Sequence, residues 1–480
     1  MSDTTIVILT LIAYKLLLLG VGFWASKRVS DESDFFLASG GGSSKGGGLG
    51  AWTAGLSYAA STSSAWVLLG FTGMVFSRGV VGLWLVPGIF GGYLMTWLVM
   101  GPRLNAETAA KGHITIVDFI TEDMGAEIKR ITGLICAALI LFSFVFYISS
   151  QFQAAGNALD EVFGLRMAES VILGAVVIVA YCLLGGFWAA SVTDALQAAV
   201  MLLACLLVPI ATVMAAGGIG GVVDTLHATQ HHDYFSFTEG AAGMAGIGLA
   251  MGLFGTGLGA LGQPQLLNRI MAVRSQSERK KAAAITIGWG LIIYSGLICL
   301  AFAARALNVD TGGEGLFFAA AQNYLPPVIA GVVIAAVLSA VMSTVDSLLL
   351  AAASAVSHDS GFKYASPKRA LLFGRLSMVG IAVFAVILTL TLPKDIFSRV
   401  LFSWVALGAA FGPVILARCF GWNVRDAFKL AAIAAGFLIA VSAYNIAGPA
   451  ADVVEKWGSW VIGFVILFIG RQRAERGLSE

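Results

Sequence analysis

Charged side chains are scarce in this chain: Asp, Glu, Lys and Arg make up 12% of its 480 residues, whereas 58% of the residues are hydrophobic. Soluble globular domains carry about 25% charged residues. The shortage of charge therefore excludes an ordinary soluble domain and predicts a polytopic membrane protein, whose surroundings are a lipid bilayer. The net charge of +2 gives no information about partners, because the positions of the charges matter more than their sum.

Cysteines and catalytic motifs are scarce as well. The five cysteines lie in or beside apolar segments, and their odd number and wide spacing support neither a disulfide framework nor a zinc site. The glycine-rich run at 40–50, GGGSSKGGGLG, lacks the ending of a phosphate-binding loop, so we interpret it as a flexible linker. The sequence shows no protease, kinase, hydrolase or nucleic-acid-binding motif. We therefore expect neither an enzyme nor a nucleic-acid partner.

Long apolar segments, in contrast, recur from end to end and predict an all-α protein with thirteen transmembrane helices. The predicted spans are 5–25, 47–75, 80–101, 131–158, 168–187, 190–214, 241–263, 282–306, 325–355, 368–392, 397–417, 427–446 and 455–471. They form a single transmembrane domain over residues 1–480.

Lysine and arginine are unevenly divided between the two sets of loops. One side holds most of them: Lys27, Arg28, Lys45, Arg103, Lys111, Lys129, Arg130, Arg269, Arg274, Arg279, Lys280, Lys281, Lys363, Lys368, Arg369, Arg418, Arg425, Lys429, Arg471, Arg473 and Arg476. Because cytoplasmic loops carry the excess of positive charge, we predict an extracellular N-terminus and a cytoplasmic C-terminus. The isolated Lys15, near the centre of the first span, has no role that the sequence defines.

A polar stripe interrupts the apolar segment from Leu338 to Asp359. Ser343, Asp346 and Ser347 share one face of a helix, and Thr344 lies at its edge. An ionisable residue inside a membrane span is costly, so its presence favours a functional site. A second carboxylate, Asp194, lies just inside the sixth predicted span, and it could equally be an interfacial residue stabilised by a helix dipole.

Two spans carry signals of interrupted helices. The second is almost entirely small and polar between Ala59 and Ala65, and the seventh has five glycines between 252 and 262, followed by Pro264. Glycine and proline weaken a helix, and unwound backbone in a membrane must line a cavity or be buried in protein. Two broken helices in corresponding positions of two halves are the pattern of a secondary-transporter site.

Five stretches together resemble the sodium/solute symporter family, and most of all its bacterial sodium/proline branch. They are LSYAASTSSAWVLLG at 56–70, GGFWAASVTDALQA at 185–198, GQPQLLNRIMAVRS at 262–275, AAVLSAVMSTVDSLLLAAASA at 335–355 and GAAFGPVILA at 408–417. The resemblance implies a core of two inverted five-helix repeats, approximately 47–214 and 241–417, whose first helix is broken. The peripheral helices would then be 5–25, 427–446 and 455–471. It also implies a bacterial inner-membrane location.

The resemblance further implies a sodium site between the first and eighth helices of the core, with sodium as the coupling ion. Its ligands would be main-chain carbonyls of Ala60, Ser63 and Ala340 and the hydroxyls of Ser343 and Thr344. A second sodium site, present in some members, would fall on Asp194, Ser343, Asp346 and Ser347.

Solute, on the same resemblance, would bind beside the broken second span. The implied contacts are Ser61, Thr62, Ser64, Tyr147, Gln151, Thr256, Ala260, Gln263 and Pro264. The chain departs from the proline branch at three of them, since Thr256 and Ala260 replace a Trp and a Tyr, and Thr62 replaces an Asp. The pocket is therefore expected to be roomier and less aromatic, and the carboxylate of a small zwitterion could lie on freed helix amides.

These observations together predict sodium-coupled symport of a small organic solute, most simply an amino acid such as proline, into the cell by alternating access. Two alternatives stay open. The same fold could couple transport to protons through Asp346 or Asp194, because two nearby carboxylates favour protonation of one. A solute-sensing membrane receptor is the third hypothesis.

Overall fold

A computed structural model of the chain describes residues 12–14, 16–18, 20–21, 23–24, 32–37, 48–309, 312–361, 366–392, 395–446 and 448–472. Across these ranges the regular structure is helical, apart from two isolated β-bridges. Lys15 and most of the glycine-rich run at 40–50 lie outside the described residues.

The helices, in chain order, are α1 (Glu32–Leu37), α2 (Ala51–Thr62), α3 (Thr72–Arg78), α4 (Leu85–Leu94), α5 (Gly101–Lys111), α6 (Ile116–Thr121), α7 (Ala126–Phe163), α8 (Met167–Ala215), α9 (Gly218–Thr229), α10 (Gly243–Gly255), α11 (Pro264–Met271), α12 (Gln276–Ala306), α13 (Leu316–Tyr324), α14 (Pro327–Ser354), α15 (Pro367–Thr391), α16 (Ile396–Cys419), α17 (Asp426–Tyr444), α18 (Pro449–Val453) and α19 (Ser459–Ile469). Short 3-10 or π-helical turns join several of them: Trp66–Phe71, Gly79–Trp84, Met95–Met100, His232–Phe235, Thr256–Gly262, Gly313–Gly315, Ala355–Asp359 and Val454–Gly458.

Nine helical stretches in the described part of the chain are long and apolar enough to cross a membrane. They are Trp66–Lys111, Ala126–Asp160, Gly186–Ala215, Gly243–Gly262, Gln276–Ala306, Pro327–Asp359, Arg369–Thr391, Ile396–Cys419 and Asp426–Tyr444. A further apolar helix, Met167–Ala180, is shorter. The protein is thus an all-helical multi-pass chain, and the thirteen spans of the sequence analysis stay a prediction.

The first helix of the predicted core is broken, as the sequence indicates. α2 ends at Thr62, Ser63 leaves the helical region (φ −95°, ψ 57°), and helical structure resumes in the π-helical turn Trp66–Phe71. Ser and Thr side chains compete with the main chain for hydrogen bonds, and Thr62 Oγ1 donates to Ala59 O at 2.9 Å. The Ser/Thr cluster therefore coincides with a real interruption of the helix.

The seventh predicted span is interrupted as well. α10 ends at Gly255, a 3-10 segment follows, and Gln263 is extended (φ −85°, ψ 109°) before Pro264 opens α11. Gly259 allows the segment to approach α16 closely, because a Cβ there would lie 1.9 Å from Cδ1 of Trp404. The glycines of this span thus serve close packing as well as the break.

α8 contains two predicted spans, and Gly186 divides them (φ 62°, ψ −174°). This left-handed φ suits glycine, and a Cβ would also lie 2.8 Å from the ring of Phe35. The weak boundary between 168–187 and 190–214 is therefore a kink rather than a loop.

α14 lies at the centre of the bundle, and all of its residues from Val333 to Ser354 are buried. The polar stripe is therefore enclosed by protein and does not face lipid. Near one end of the bundle, main-chain hydrogen bonds join the start of α2 to the end of α11. Leu49 N donates to Ala272 O at 2.8 Å, and Arg274 N donates to Leu49 O at 3.1 Å.

Candidate ion and solute site

The polar stripe of α14 meets α2 just before its break. Ser343 Oγ donates to Ala60 O at 3.3 Å and to Ala340 O at 3.2 Å. Thr344 Oγ1 lies 2.9 Å from Ala340 O and 3.5 Å from Ser61 O. Two hydroxyls and three carbonyls from two helices therefore converge on one small, fully buried region.

This set of oxygens suits a hard cation. Sodium prefers several oxygen ligands, and carbonyls next to a helix break can supply them without losing a full helical hydrogen bond each. Four of the five predicted ligands, Ala60, Ala340, Ser343 and Thr344, are joined by these contacts. The fifth, Ser63, lies at the break itself, where its amide donates to Ala59 O at 3.0 Å.

The second predicted cluster lies one turn further along α14. Ser347 Oγ is 2.6 Å from Ser343 O and 3.2 Å from Asp346 Oδ1. Asp346 is buried, and its Oδ2 has no hydrogen-bond partner in the described part of the chain. Ser61, which is predicted to contact solute, places its hydroxyl 3.0 Å from Ser347 Oγ and so also lies beside the ion cluster.

Arg269 reaches this cluster from α11. Its guanidinium lies 2.9 Å from Asp194 Oδ2, donates to Ser57 Oγ at 3.0 Å and also donates to Ser347 Oγ. Arg269 Nη1 donates to Gln265 O at 2.6 Å, and Ser57 Oγ donates to Asp194 Oδ2 at 2.6 Å. The side chains of Arg269 and Asp194 are 1% and 0% exposed.

The structure moves one of these charges from its expected place and decides between two readings of the other. The sequence places Arg269 among the cation-rich loops, but helical geometry turns its side chain into the bundle. Asp194 is not an interfacial carboxylate, because it is buried against a guanidinium. The amphipathic pattern of α11, with Gln265 and Arg269 four residues apart, is the signal that could have located this arginine. Asp194 is the natural partner because an unpaired buried carboxylate is costly.

The predicted solute contacts from the first half gather at the break. Ser64 Oγ lies 3.2 Å from the Tyr147 hydroxyl, and Ala65 N donates to Gln151 Oε1 at 3.2 Å. Tyr147 and Gln151 are four residues apart on α7, so they share the face that points to the break. The break is therefore held in shape by side chains of α7.

The predicted contacts from the seventh span are arranged around Trp404, which sequence reasoning missed. Gln263 Nε2 donates to Trp404 O at 2.9 Å and to Gly259 O at 3.2 Å, and Trp404 Nε1 donates to Thr256 O at 3.0 Å. Ala260 and Pro264 are buried in the same segment. The Trp404 ring packs directly against Gly259 of this segment.

Comparison with known proteins agrees with this architecture. The sequence profile of the sodium:solute symporter family matches residues 43–432. The chain belongs to this family. It is therefore a sodium-coupled symporter of a small solute and a multi-pass membrane protein, as the sequence predicted.

Several bacterial relatives of this symporter are proline transporters by name. The osmoregulated proline transporter of Bacillus subtilis is 33% identical over 440 residues, which cover 90% of this chain and 87% of the relative. The high-affinity proline transporter of the same organism is 33% identical over 83% of this chain and 84% of its own length. The sodium/proline symporter of Escherichia coli is 31% identical over 87% of this chain and 83% of its own.

Solved structures show the same fold at low identity. A Na⁺-coupled sialic acid symporter in a substrate-bound outward-open state aligns with a TM-score of 0.80, 15% identity and coverage of 98% of this symporter and 99% of that chain. A nucleobase-cation-symport-1 family transporter aligns with a TM-score of 0.56 at 14% identity, covering 92% and 94%. The symporter therefore has a known transporter fold.

Proposed function

We propose that the symporter imports L-proline or a similarly small zwitterionic amino acid together with sodium. The observation that carries this proposal is the convergence of the Ser343 and Thr344 hydroxyls on carbonyls of α2 beside its break. The names of the bacterial relatives support proline as the first solute to test.

Sodium would bind to the carbonyls of Ala60, Ser63 and Ala340 and the hydroxyls of Ser343 and Thr344. In the present geometry both hydroxyls donate hydrogen bonds to carbonyl oxygens. When an ion binds, the hydroxyl and carbonyl oxygens would coordinate the ion instead of forming these hydrogen bonds. Because the ion contacts both α2 and α14, it favours the conformation in which these helices are correctly spaced. Solute that binds the same conformation is then coupled to sodium, and the coupling is reciprocal.

Solute would bind between the break and the seventh span, next to Ser61, Thr62, Ser64, Tyr147, Gln151, Thr256, Ala260, Gln263 and Pro264. Support comes from the polar atoms that bracket this region: the Ser64–Tyr147 pair on one side and the Gln263 amide on the other. Thr256 Oγ1 is buried without a partner in the described structure, so it is free to bind a solute.

We also propose a second cation site on Asp194, Ser343, Asp346 and Ser347. Arg269 already compensates Asp194, so an added sodium ion would have to rely mainly on Asp346. The unpartnered Oδ2 of Asp346 supports either a cation or a proton there, and this is the one observation that favours the proton-coupled alternative.

We further propose thirteen membrane spans in a single domain over residues 1–480. Its core would be two inverted repeats, at 47–214 and 241–417, with peripheral helices at 5–25, 427–446 and 455–471. The N-terminus would be outside and the C-terminus cytoplasmic in a bacterial inner membrane. The loop charges support this orientation. Single cysteines placed in successive loops of a cysteine-free variant should be labelled by an impermeant reagent in an alternating pattern. Two adjacent loops on the same side would contradict the proposed count.

The functional test is uptake of radiolabelled L-proline and a panel of amino acids into proteoliposomes. We expect uptake against a concentration gradient when sodium is high outside, and none when choline replaces sodium. A proton gradient that drives uptake without sodium would support the proton-coupled alternative. Solute binding without concentrative uptake would support the receptor, and no effect of sodium on any amino acid would overturn the proposal.

A further inference from the structure

Three side chains that can bind a metal ion meet at the end of α14, away from the sodium and solute sites. Asp118 belongs to α6, and His358 and Asp359 belong to the π-helical turn that follows α14. One ligand atom from each of the three lies within 4.8 Å of the other two. His358 is about 20 Å along the helix axis from Thr344, so the group needs an explanation separate from the proposed sodium site.

The start of α6 holds one oxygen of each carboxylate. Asp118 Oδ2 accepts from the amides of Ile114 and Thr115, at 2.9 and 3.1 Å. Thr115 Oγ1 accepts from Asp118 N at 3.1 Å and donates to Asp359 Oδ1 at 2.6 Å. The capping interactions of α6 therefore fix the position of Asp118 and, through the Thr115 hydroxyl, that of Asp359.

The other oxygen of each carboxylate is less engaged. Asp118 Oδ1 lies 3.2 Å from His358 Nε2, which is also 3.0 Å from Asp118 Oδ2. Asp359 Oδ2 is buried and has no hydrogen-bond partner among the residues that the structure describes. Buried charged groups are normally paired or bound to a metal, because an isolated buried charge is costly. A cation bound by this group would supply the missing partner of Asp359.

The spacing of Asp118 and His358 fits a metal ion. Two ligand atoms at about 2.0–2.1 Å from a tetrahedrally coordinated ion are about 3.3 Å apart. The observed separation of His358 Nε2 and Asp118 Oδ1, 3.2 Å, is close to this value. An ion could therefore replace their hydrogen bond with little change in the distance between the two side chains, and a small rotation of Asp359 would add a third ligand.

The ligand types select the class of metal. An imidazole nitrogen suits zinc and related transition metals, whereas magnesium and calcium prefer oxygen ligands alone. Two carboxylates balance the charge of a divalent ion, and three protein ligands leave one position for water. The hydrogen bonds from Thr115 and from the α6 amides would orient the carboxylates in the way that outer contacts orient metal ligands.

We propose that Asp118, His358 and Asp359 bind a divalent transition-metal ion such as Zn²⁺. The ion would link α6 to the end of α14, the helix that also carries the proposed sodium ligands. α7 encloses the same place, because Gly133 packs so closely that a Cβ there would lie 2.6 Å from Asp359 O. This inference does not depend on the identity of the transported solute.

The test is a calorimetric titration of ZnCl₂ alone into purified full-length protein that a chelator has freed of metal. The wild type is compared with Asp359→Asn and His358→Gln and with the control His113→Gln. His113 binds Glu122 at 3.1 Å outside the proposed site, so its replacement removes a comparable histidine–carboxylate contact. We expect one Zn²⁺ per wild-type chain, at least about tenfold weaker binding in both site variants and no change in the control. Equal affinity in the wild type and both site variants, or no saturable binding in the wild type, would overturn the inference.

A spectroscopic measurement keeps the inference testable if the site variants do not fold. Co²⁺ can replace Zn²⁺ in proteins, and its visible absorption depends on its ligands. We expect bands of a cobalt ion with nitrogen and oxygen ligands, and we expect excess Zn²⁺ to abolish them. A thiolate-to-cobalt charge-transfer band would place the metal on a cysteine and overturn the inference. So would loss of the bands when the exposed pair His231 and His232 is replaced by glutamine. Neither measurement requires transport, so a failure of the proposed function would be seen separately, in the uptake assay.

Discussion

Replacing Asp194 by asparagine tests the buried ion pair with Arg269. Asparagine has nearly the same shape and can still accept the hydrogen bond from Ser57, which is 2.6 Å long in the wild type. The change removes the only carboxylate within ion-pair distance of Arg269 in the described structure, at 2.9 Å. Breaking one half of a buried pair typically costs about 3–5 kcal/mol, because the remaining charge stays desolvated without compensation.

A half-exposed pair supplies the matched control. Arg78 and Glu239 lie 2.7 Å apart, but their side chains are 36% and 33% exposed. Water screens such a pair, so Glu239→Gln should cost at most about 1 kcal/mol. The contrast between the two variants therefore separates the effect of burial from the effect of losing an ion pair.

The measurement is the free energy of unfolding of purified protein in mixed micelles, from a denaturant titration. We expect Asp194→Asn to lose about 3–5 kcal/mol and the double variant Asp194→Asn with Arg269→Gln to lose less than the two single losses added together. Asp194→Asn within about 1 kcal/mol of wild type, or no worse than Glu239→Gln, would refute the reasoning.

Three further predictions concern the ion site, the start of α16 and the glycine-rich segment. Ser343→Ala should raise the sodium concentration for half-maximal uptake about tenfold, or about 1.4 kcal/mol, whereas Ser354→Ala, on the same helix, should not. Glu314 Oε1 accepts from the amides of Ile396 and Phe397 and so caps the start of α16. Burial raises the pKa of Glu314 from 4.5 to about 7. Between these two pH values, Glu314 is protonated in the folded protein and ionised in the unfolded protein. Its stabilising contribution is complete below about pH 4.5 and is lost as pH rises through about 7. Glu314→Gln should flatten this part of the curve of unfolding temperature against pH, and an unchanged curve would exclude Glu314 as its cause. Gly259→Ala should abolish folding or uptake, because its Cβ would meet the indole of α16 at 1.9 Å, whereas a Cβ at Gly91 meets nothing within 4 Å and Gly91→Ala should fold and transport normally.

The polar stripe and the helix breaks could be predicted because their signals are local. Serine, threonine and aspartate side chains are costly to expose to lipid. Their presence in an apolar helix therefore predicts that this face of the helix packs against polar groups of the protein. Ser343 and Thr344 were found in this way, and the structure joins them to Ala60 and Ser61. The prediction needed no knowledge of the tertiary structure, only of which residues are costly in a membrane.

Arg269 and Trp404 could not be found in the same way. Arg269 lies in a stretch with other cations, and counting loop charges treats all of them alike, although helical geometry directs this one inward. In the sequence, nothing distinguishes Trp404 from other apolar residues of a buried helix. Its role depends on its contact with Gly259, which is 145 positions away along the chain. Such long-range juxtapositions depend on how helices pack, which single-sequence patterns do not specify.

The junction of Leu49 with Ala272 and Arg274 has a consequence for how the protein tolerates mutation. Its hydrogen bonds come from the main chain, so ordinary side-chain replacements at these positions leave the donors and acceptors in place. Proline is the exception, because it has no N–H group to donate from position 49 or 274. These main-chain hydrogen bonds thus connect the start of one broken helix to the end of the other, and most side-chain substitutions leave them intact. Substitution by proline at position 49 or 274 is the change that would reveal how much they contribute to stability.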